Sequence, residues 1–281
     1  MSSYDPRVLR DAAIVIARAA GALLREGYGR LHVPGRKGRI DLVTEYDTRS
    51  EALVLGEIAA RFPGHAVLAE ESGAHAGESG GSRVRWIVDP LDGTTNFAHN
   101  YPFFCVSIGI EVDGALAAAV VVDPVRDETF AAAAGDGATL NGVPVRVSAI
   151  DQLDDALLVT GFPYDVREHP ERHLEPFRAF LTRAQGIRRD GSAALNLCYV
   201  AMGRFDGFWE RGLAPWDAAA GVLIIREAGG RVTRWDGAPI DLAGREFLAS
   251  NGALHDPMRA VLAPFVEIPR AASVAGTEPA R

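Results

Sequence analysis

The stretch that decides the fold is Trp86-Ile87-Val88-Asp89-Pro90-Leu91-Asp92-Gly93-Thr94-Thr95-Asn96-Phe97. An apolar strand, Trp86–Val88, runs straight into Asp89, and Asp92 follows three residues later. Pro90 stiffens the turn, and Gly93 lets the backbone bend sharply. Two carboxylates so spaced at a strand end can face one cavity. Gly93-Thr94-Thr95 then opens a helical turn whose free N–H groups form a ready anion site. Carboxylates beside an anion site make sense if Mg²⁺ bridges them to a phosphate. The plainer reading is an Asp-rich turn with a helix cap at Thr94 or Thr95, and both stay open at this point.

Moving outward, other acids gather in the same manner. Asp41-Leu-Val-Thr-Glu-Tyr-Asp47 precedes a helical pattern, where Asp47 reads as an N-cap or as a functional acid. Val67-Leu68-Ala69 ends on Glu70 and Glu71. Asp217, in Ala214-Pro-Trp-Asp-Ala-Ala-Ala-Gly221, opens an apolar helix, where a dipole contact is the plain alternative. Four apolar elements that each end or begin on an acid exceed what a soluble fold needs. Hard divalent cations take such oxygen ligands. The seven histidines are scattered and no zinc spacing occurs. No GxxxxGK[ST], GxGxxG or GxSxG element stands in the required context, which argues against nucleotide-triphosphate, dinucleotide and serine-hydrolase chemistry.

The 281 residues are 48% hydrophobic and 23% charged, an ordinary globular composition. A formal net charge of −8 makes nucleic acid an unlikely partner, because phosphate backbones call for clustered Lys and Arg. Cys105 and Cys198 each lie in an apolar stretch and read as reduced core residues. In the first 30 residues Val8, Ala12, Val15, Ala19 and Leu23 recur at helical spacing. Arg18 splits the run, so it reads as a surface helix, not a signal peptide or membrane span. A cytoplasmic protein with no membrane contact is expected.

Along the chain, Gly73–Ser82 reads as a loop, and the segment after Ile268 as a disordered tail. Trp86–Val88, Phe104–Val112 and Ala117–Val122 read as strands, with Asp113-Gly114 as a turn between the latter two. Asn141-Gly142 is a second turn, and Val143–Val147 alternates after it. Further on, Leu157–Thr160 and Phe205–Glu210 read as strands; Glu171–Ala184, Gly191–Met202 and Pro215–Ala228 read as helices. Layered α/β packing follows. A soft boundary near 150 separates an N-terminal half (1–150) carrying most of the acids from a C-terminal half (151–267) that completes the site; 268–281 is the tail.

At DLVTEYD (Asp41–Asp47), LAEES (Leu68–Ser72), WIVDPLDGTTNF (Trp86–Phe97), GSAALNL (Gly191–Leu197) and APWDAAAG (Ala214–Gly221) the chain closely resembles the inositol monophosphatase family. The resemblance implies an α/β/α/β/α sandwich, a homodimer, two or three Mg²⁺ per site, inhibition by Li⁺, and a small phosphorylated polyol or sugar as substrate. By motif, Glu70, Asp89 and the Leu91 carbonyl would hold one metal. Asp89, Asp92 and Asp217 would hold a second. Asp47, Thr94 and Glu70 would serve catalysis, with Asp47 and Thr94 orienting and deprotonating the attacking water. Gly93, Thr94 and Thr95 would meet the phosphate alongside Asp92 and Asp217, and Gly191, Ser192, Ala193 and Glu210 would meet the polyol. The family's loop lysine is matched by Lys37, with Arg36 competing for the place. Relatives sharing these motifs also act on fructose 1,6-bisphosphate, histidinol phosphate or 3′-phosphoadenosine nucleotides, and some bacterial members act as regulatory partners in transcription or RNA processing. Asp190 and Arg211 stay without an assigned role.

Overall fold

The computed structural model describes residues 4–30, 34–38, 42–77, 82–244 and 246–266. The expected tail at 268–281, and Asp41, lie outside the described residues. In chain order the first elements are α1 (Pro6–Gly27), β1 (Gly35–Arg36), β2 (Leu42–Val43), α2 (Glu45–Arg61), β3 (Ala66–Ala69), β4 (Gly73–His75), β5 (Val84–Asp92) and α3 (Thr94–Ala98). There follow β6 (Cys105–Val112), β7 (Ala115–Asp123), β8 (Glu128–Ala133), β9 (Gly137–Leu140) and β10 (Val143–Pro144). Then come β11 (Leu157–Thr160), α4 (Pro170–Leu181), β12 (Gly186–Arg188), α5 (Ala193–Ala201) and β13 (Gly207–Arg211). The last are α6 (Pro215–Glu227), β14 (Arg231–Thr233), β15 (Glu246–Ser250) and α7 (His255–Leu262).

The strands build an eight-stranded sheet, β10-β9-β8-β7-β6-β5-β3-β4, and a five-stranded sheet, β12-β11-β13-β15-β14, beside the short β1–β2 ribbon. Period-two alternation sorts the large sheet into two faces. Val106, Ile108 and Ile110 of β6, with Val120 of β7, pack on α1 and α2. Ala119 and Val121 face α5 and α6, which lie between the sheets and also cover Phe208 and Ala249 of the small one. Phe180 of α4 and Met258 of α7 close the far side on Leu158 and Leu248. Five layers result, α/β/α/β/α, as the resemblance implies.

Three local readings need correction. The buried face of α1 is Leu9, Ala13, Ile16, Ala17, Ala20 and Leu24, one residue out of register with the Val8–Leu23 stripe, and Val15 is exposed. The run is apolar on every side, so charge decides: Arg7, Asp11, Arg18 and Arg25 mark the solvent face, and Val15 falls among them. The Gly73–Ser82 loop begins as a strand, because Gly73–His75 pairs antiparallel with β3. Of Val143–Val147 only Val143 and Pro144 form a strand, with the Val145 N–H adding one further bond to the Ala138 carbonyl at 3.0 Å.

Register places the acids. β3 and β5 are parallel, with Ala69 opposite Val88, so Glu70, just past the end of β3, falls beside Asp89 of β5. On the other side of β5, Asp89 pairs with Ser107 of β6, whose hydroxyl donates to the Trp216 carbonyl at 3.3 Å. That bond sets the start of α6, and hence Asp217, beside the β5 acids. The approach is close because Gly109 lacks a side chain: a Cβ there would lie 2.6 Å from the Ala219 methyl. Gly221, on α6, leaves room for Leu197 of α5 in the same way. The Asp-Ala-Ala-Ala-Gly run is thus small because α6 is wedged between a sheet and a helix.

Gly109→Ala should therefore overpack the β6–α6 contact and lower stability by about 1–3 kcal/mol. Urea unfolding followed by circular dichroism reads this, and an unchanged midpoint would mean that α6 has slack to retreat.

Candidate active site

Helix α2 begins at Thr44, not at Asp47. The Thr44 hydroxyl accepts the Tyr46 N–H, and Asp47, at the third helical position, closes a capping box. Asp47 Oδ2 accepts from the Thr44 amide (2.7 Å) and hydroxyl (2.6 Å). Its Oδ1 accepts from Thr94 Oγ1 at 2.7 Å. The cap thus leaves one oxygen to reach α3. Ser50, one turn on, donates to the Pro90 carbonyl (2.8 Å), and Glu51 accepts the Glu71 N–H (2.8 Å), so α2 grips both acid-bearing turns. Burial raises the Asp47 pKa, while the bonds from Thr44 and Thr94 oppose the rise.

Neither threonine caps α3. Gly93 does so in a left-handed conformation (φ 95°), and no side chain satisfies the first N–H groups. A Cβ at Gly93 would also lie 3.0 Å from the Phe103 carbonyl, so glycine is required twice over. Asp92 ends β5 and reaches across to α5, where its Oδ2 accepts from Ser192 Oγ (2.6 Å) and the Ala194 N–H (2.7 Å). Asn96 ties the same region together by donating to the carbonyls of Phe103 and Asp190. On α6, Asp217 Oδ2 accepts the Ala214 N–H at 2.7 Å.

One cleft of about 500 Å³ gathers Glu70, Asp89, Leu91, Asp92, Gly93, Thr94, Thr95, Gly191, Ser192, Ala193, Glu210 and Asp217. Asp47 does not line it, being fully buried behind Thr94. Lys37 stands outside as well. Its Nζ lies 3.0 Å from Glu70 Oε1 and also bonds Glu71. Asp190 is half-buried and lends its carbonyl to Asn96, and burial raises its pKa. Arg211 has a partner of its own. It is buried, paired with Glu246 at 3.0 Å and stacked over Trp235.

The reading from sequence missed further lining residues: the more exposed Phe162, Tyr164, Arg167 and Arg189, and the buried Asn196. Arg188-Arg189, separated from Gly191 only by Asp190, was the available signal: two adjacent cations in an acidic chain. Phe162 and Tyr164 carried none, since aromatics beside Pro163 read as loop anchors.

The electrostatics are those of crowded acids. Asp89, 2% exposed, has its pKa raised well above the carboxylate range by burial and then by the charges of Glu70, Asp92 and Asp217. Burial pushes Asp92 up to about 6 against the bonds from Ser192 and Ala194. Among the described residues no three His, Cys, Asp or Glu side chains already form a closed metal cluster. The donors nevertheless fit a hard divalent cation. They are oxygens throughout, and the mutual repulsion that raises Asp89 is the penalty that added positive charge removes.

Glu210 needs its own explanation. It is 8% exposed, and burial pushes its pKa up to about 8. Gly161 makes its place, because a Cβ there would lie 2.2 Å from both carboxylate oxygens.

The sequence matches the inositol monophosphatase family over residues 5–267. The inositol-1-monophosphatase of Synechocystis is 48% identical over 263 residues, covering 93% of this chain and 91% of that protein. Nus factor SuhB of Pseudomonas aeruginosa is 43% identical over 245 residues, 86% of this chain and 90% of that one. The solved structure of inositol monophosphatase from Anabaena superposes with a TM-score of 0.83 at 44% identity, covering 92% and 96% of the two chains.

Because the folded pKa of Glu210 lies above its ordinary 4.5, the fold favours the protonated acid. The associated stability is whole below about pH 4.5 and is lost as pH rises toward 8. In chelator, the melting temperature of Glu210→Gln relative to the parent should rise steadily across that window. Parallel melting curves from pH 4.5 to about 9 would contradict the assignment.

Proposed function

The chain belongs to the inositol monophosphatase family, and we propose that it hydrolyses inositol 1-phosphate or a similar polyol or sugar phosphate. Phosphoric monoester hydrolysis is the chemistry of that family, and Mg²⁺ dependence is general within it. The observation that carries the reading for this chain is the convergence of Glu70, Asp89, Asp92 and Asp217 on one cleft beside Thr94.

In this reading Glu70, Asp89 and the Leu91 carbonyl would hold one Mg²⁺, and Asp89, Asp92 and Asp217 would hold a second, with a third near Lys37 as the upper limit. Bound there, Mg²⁺ supplies charge neutralisation for the phosphate and a lowered pKa for water. The protein's own part begins with Thr94. Its hydroxyl lies 2.7 Å from Asp47 Oδ1 and 3.1 Å from the Leu91 carbonyl; donating to the nearer Asp47, it keeps its lone pairs for the water it orients. As the water attacks phosphorus, its proton passes to Thr94 Oγ1 while the hydroxyl proton moves to Asp47, whose raised pKa suits it to receive one; the ester P–O bond opposite the water breaks, and the departing polyol oxygen takes a proton from solvent. The uncapped N–H groups at the start of α3 meet the phosphate oxygens. Glu210, protonated near neutrality, both donates to and accepts from polyol hydroxyls.

Cytoplasmic residence, a homodimer and inhibition by Li⁺ complete the proposal. Both cysteines are free and buried, which supports a reducing compartment, and no helix of the described residues is long and apolar enough to cross a membrane. A second reading is a regulatory partner in transcription or RNA processing, and it is favoured by the relatives named Nus factor SuhB. It predicts a pull-down that survives loss of Asp89.

Asp89→Asn should cut phosphate release from inositol 1-phosphate in Mg²⁺ by on the order of 10²–10³-fold or more, with the circular dichroism spectrum unchanged. Full turnover by the variant would remove Asp89 from the metal set. Release by the parent enzyme should also stop in excess EDTA.

A further inference from the structure

One lip of the cleft meets the rest of the fold through a pair of side chains that the mechanism does not use. Tyr164, Val166 and Arg167, from the short 3₁₀ turn Tyr164–Arg167, line the cleft. The Val166 N–H donates to the Pro163 carbonyl, and the Glu168 and His169 N–H groups to that of Asp165. These bonds shape the turn without fastening it to the body of α4. Asp165, in the middle of the turn, does not line the cleft. It lines a second cavity of about 500 Å³ together with Arg172 and His173 of α4. Residues 211–214 line both cavities and so stand between them.

His173 is 6% exposed, and its Nε2 lies 3.1 Å from Asp165 Oδ1. Both atoms are buried, and among the described residues neither has a hydrogen-bond partner, each other included. The pair is close enough to bond and turned so that it does not. Such a contact gains little while the ring is neutral, and becomes attractive once Nε2 carries a proton and the ring a charge. The charged groups around the ring are Asp165 from the turn, Arg172 from α4 and Arg211 from β13, whose own charge is met by Glu246 of β15. Burial lowers the His173 pKa below its ordinary 6.5; Asp165 opposes the fall, and Arg172 and Arg211 add to it. Arg172 Nη1 is 3.8 Å from Asp165 Oδ2, which leaves Oδ1 to the histidine.

We propose that His173 and Asp165 are positioning residues that form a proton-operated latch: a proton taken from solvent by His173 draws Asp165 into a charge-assisted hydrogen bond and fixes the Tyr164–Arg167 lip to α4. The kinetic consequence rests on the phosphomonoesterase reading of the cleft; the latch itself needs only the pair and the turn. Acid favours the latched lip because the latched histidine holds its proton more tightly than the open one. A lip already fixed costs less to order when substrate enters, so KM is low while the pair is made. As pH rises through the His173 pKa the proton leaves, the lip is released and KM rises. The carboxylates at the reacting end are untouched, so kcat does not follow.

The first test is proton NMR titration of His173 in the full chain, its ring resonance identified by its loss in His173→Gln. Asp165→Ala should lower the proton affinity of His173 about tenfold, and an unchanged titration overturns the latch. Amide exchange of residues 164–167, corrected for its intrinsic pH dependence, should slow several-fold below the His173 midpoint in the parent and not in Asp165→Ala. With inositol 1-phosphate in Mg²⁺, KM of Asp165→Ala should exceed that of the parent about fivefold below the midpoint and match it above, with kcat within about twofold throughout. His173→Gln, whose amide N–H can donate to Asp165 at any pH, should keep the low KM across the range. A KM ratio that does not change with pH, or an effect carried by kcat, refutes the proposal. Where no ester is turned over, the phosphatase reading falls, and the titration and the exchange still decide the latch.

Discussion

Everything in this fold is arranged around the cost of holding four carboxylates in one cleft. Asp89 is almost wholly buried and feels Glu70, Asp92 and Asp217 at once. Left to itself, such a cluster would spread apart or protonate. It is held by bonds to rigid elements. Asp92 is fixed by Ser192 and Ala194, Asp217 by Ala214, and the Pro90 carbonyl by Ser50. Each comes from a different helix, so the acid-bearing turn cannot relax without moving α2, α5 or α6.

The packing of α6 makes that restraint mutual. Ser107 stands opposite Asp89 in the β5–β6 ladder and bonds the Trp216 carbonyl, while Gly109 lets the helix lie against the strand. The distance between Asp89 and Asp217 is therefore set by a sheet register and a missing methyl group, neither of which touches the cleft. Lys37 supplies charge from the β1–β2 side. Its ammonium bridges Glu70 and Glu71, whose burial and mutual repulsion raise the Glu71 pKa against it.

How much of this was legible depends on how far each residue's environment is local. Asp89, Asp92 and Glu70 could be read because an apolar strand ending on acids is a local pattern. The turns at Asp113-Gly114 and Asn141-Gly142 could be read for the same reason, since all four residues take positive φ. The face of α1 could not be taken from apolar spacing, because an all-round apolar run has no preferred side until its charges are counted. Arg211 lies next to Glu210, but alternation along β13 turns the two side chains to opposite faces, and its partner Glu246 is contributed by the neighbouring antiparallel strand β15. The cleft's outer wall was hidden because Phe162, Arg167 and Arg189 meet only when β11, β12 and the turn between them are folded.

Capping and function, alternatives for these acids in the sequence, are the same fact in the folded chain. Asp47 spends Oδ2 on the α2 cap and Oδ1 on Thr94. Asp217 caps α6 with Oδ2 while lining the cleft. A carboxylate at the third position of a helix is held by the backbone itself, with no need for a second side chain, and the helix N-terminus offsets part of its charge. That is a sound way to fix the orientation of an acid at the edge of a crowded site. A helix-start acid in such a protein is therefore not evidence against function: the cap gives the orientation, and its neighbours decide what the remaining oxygen does.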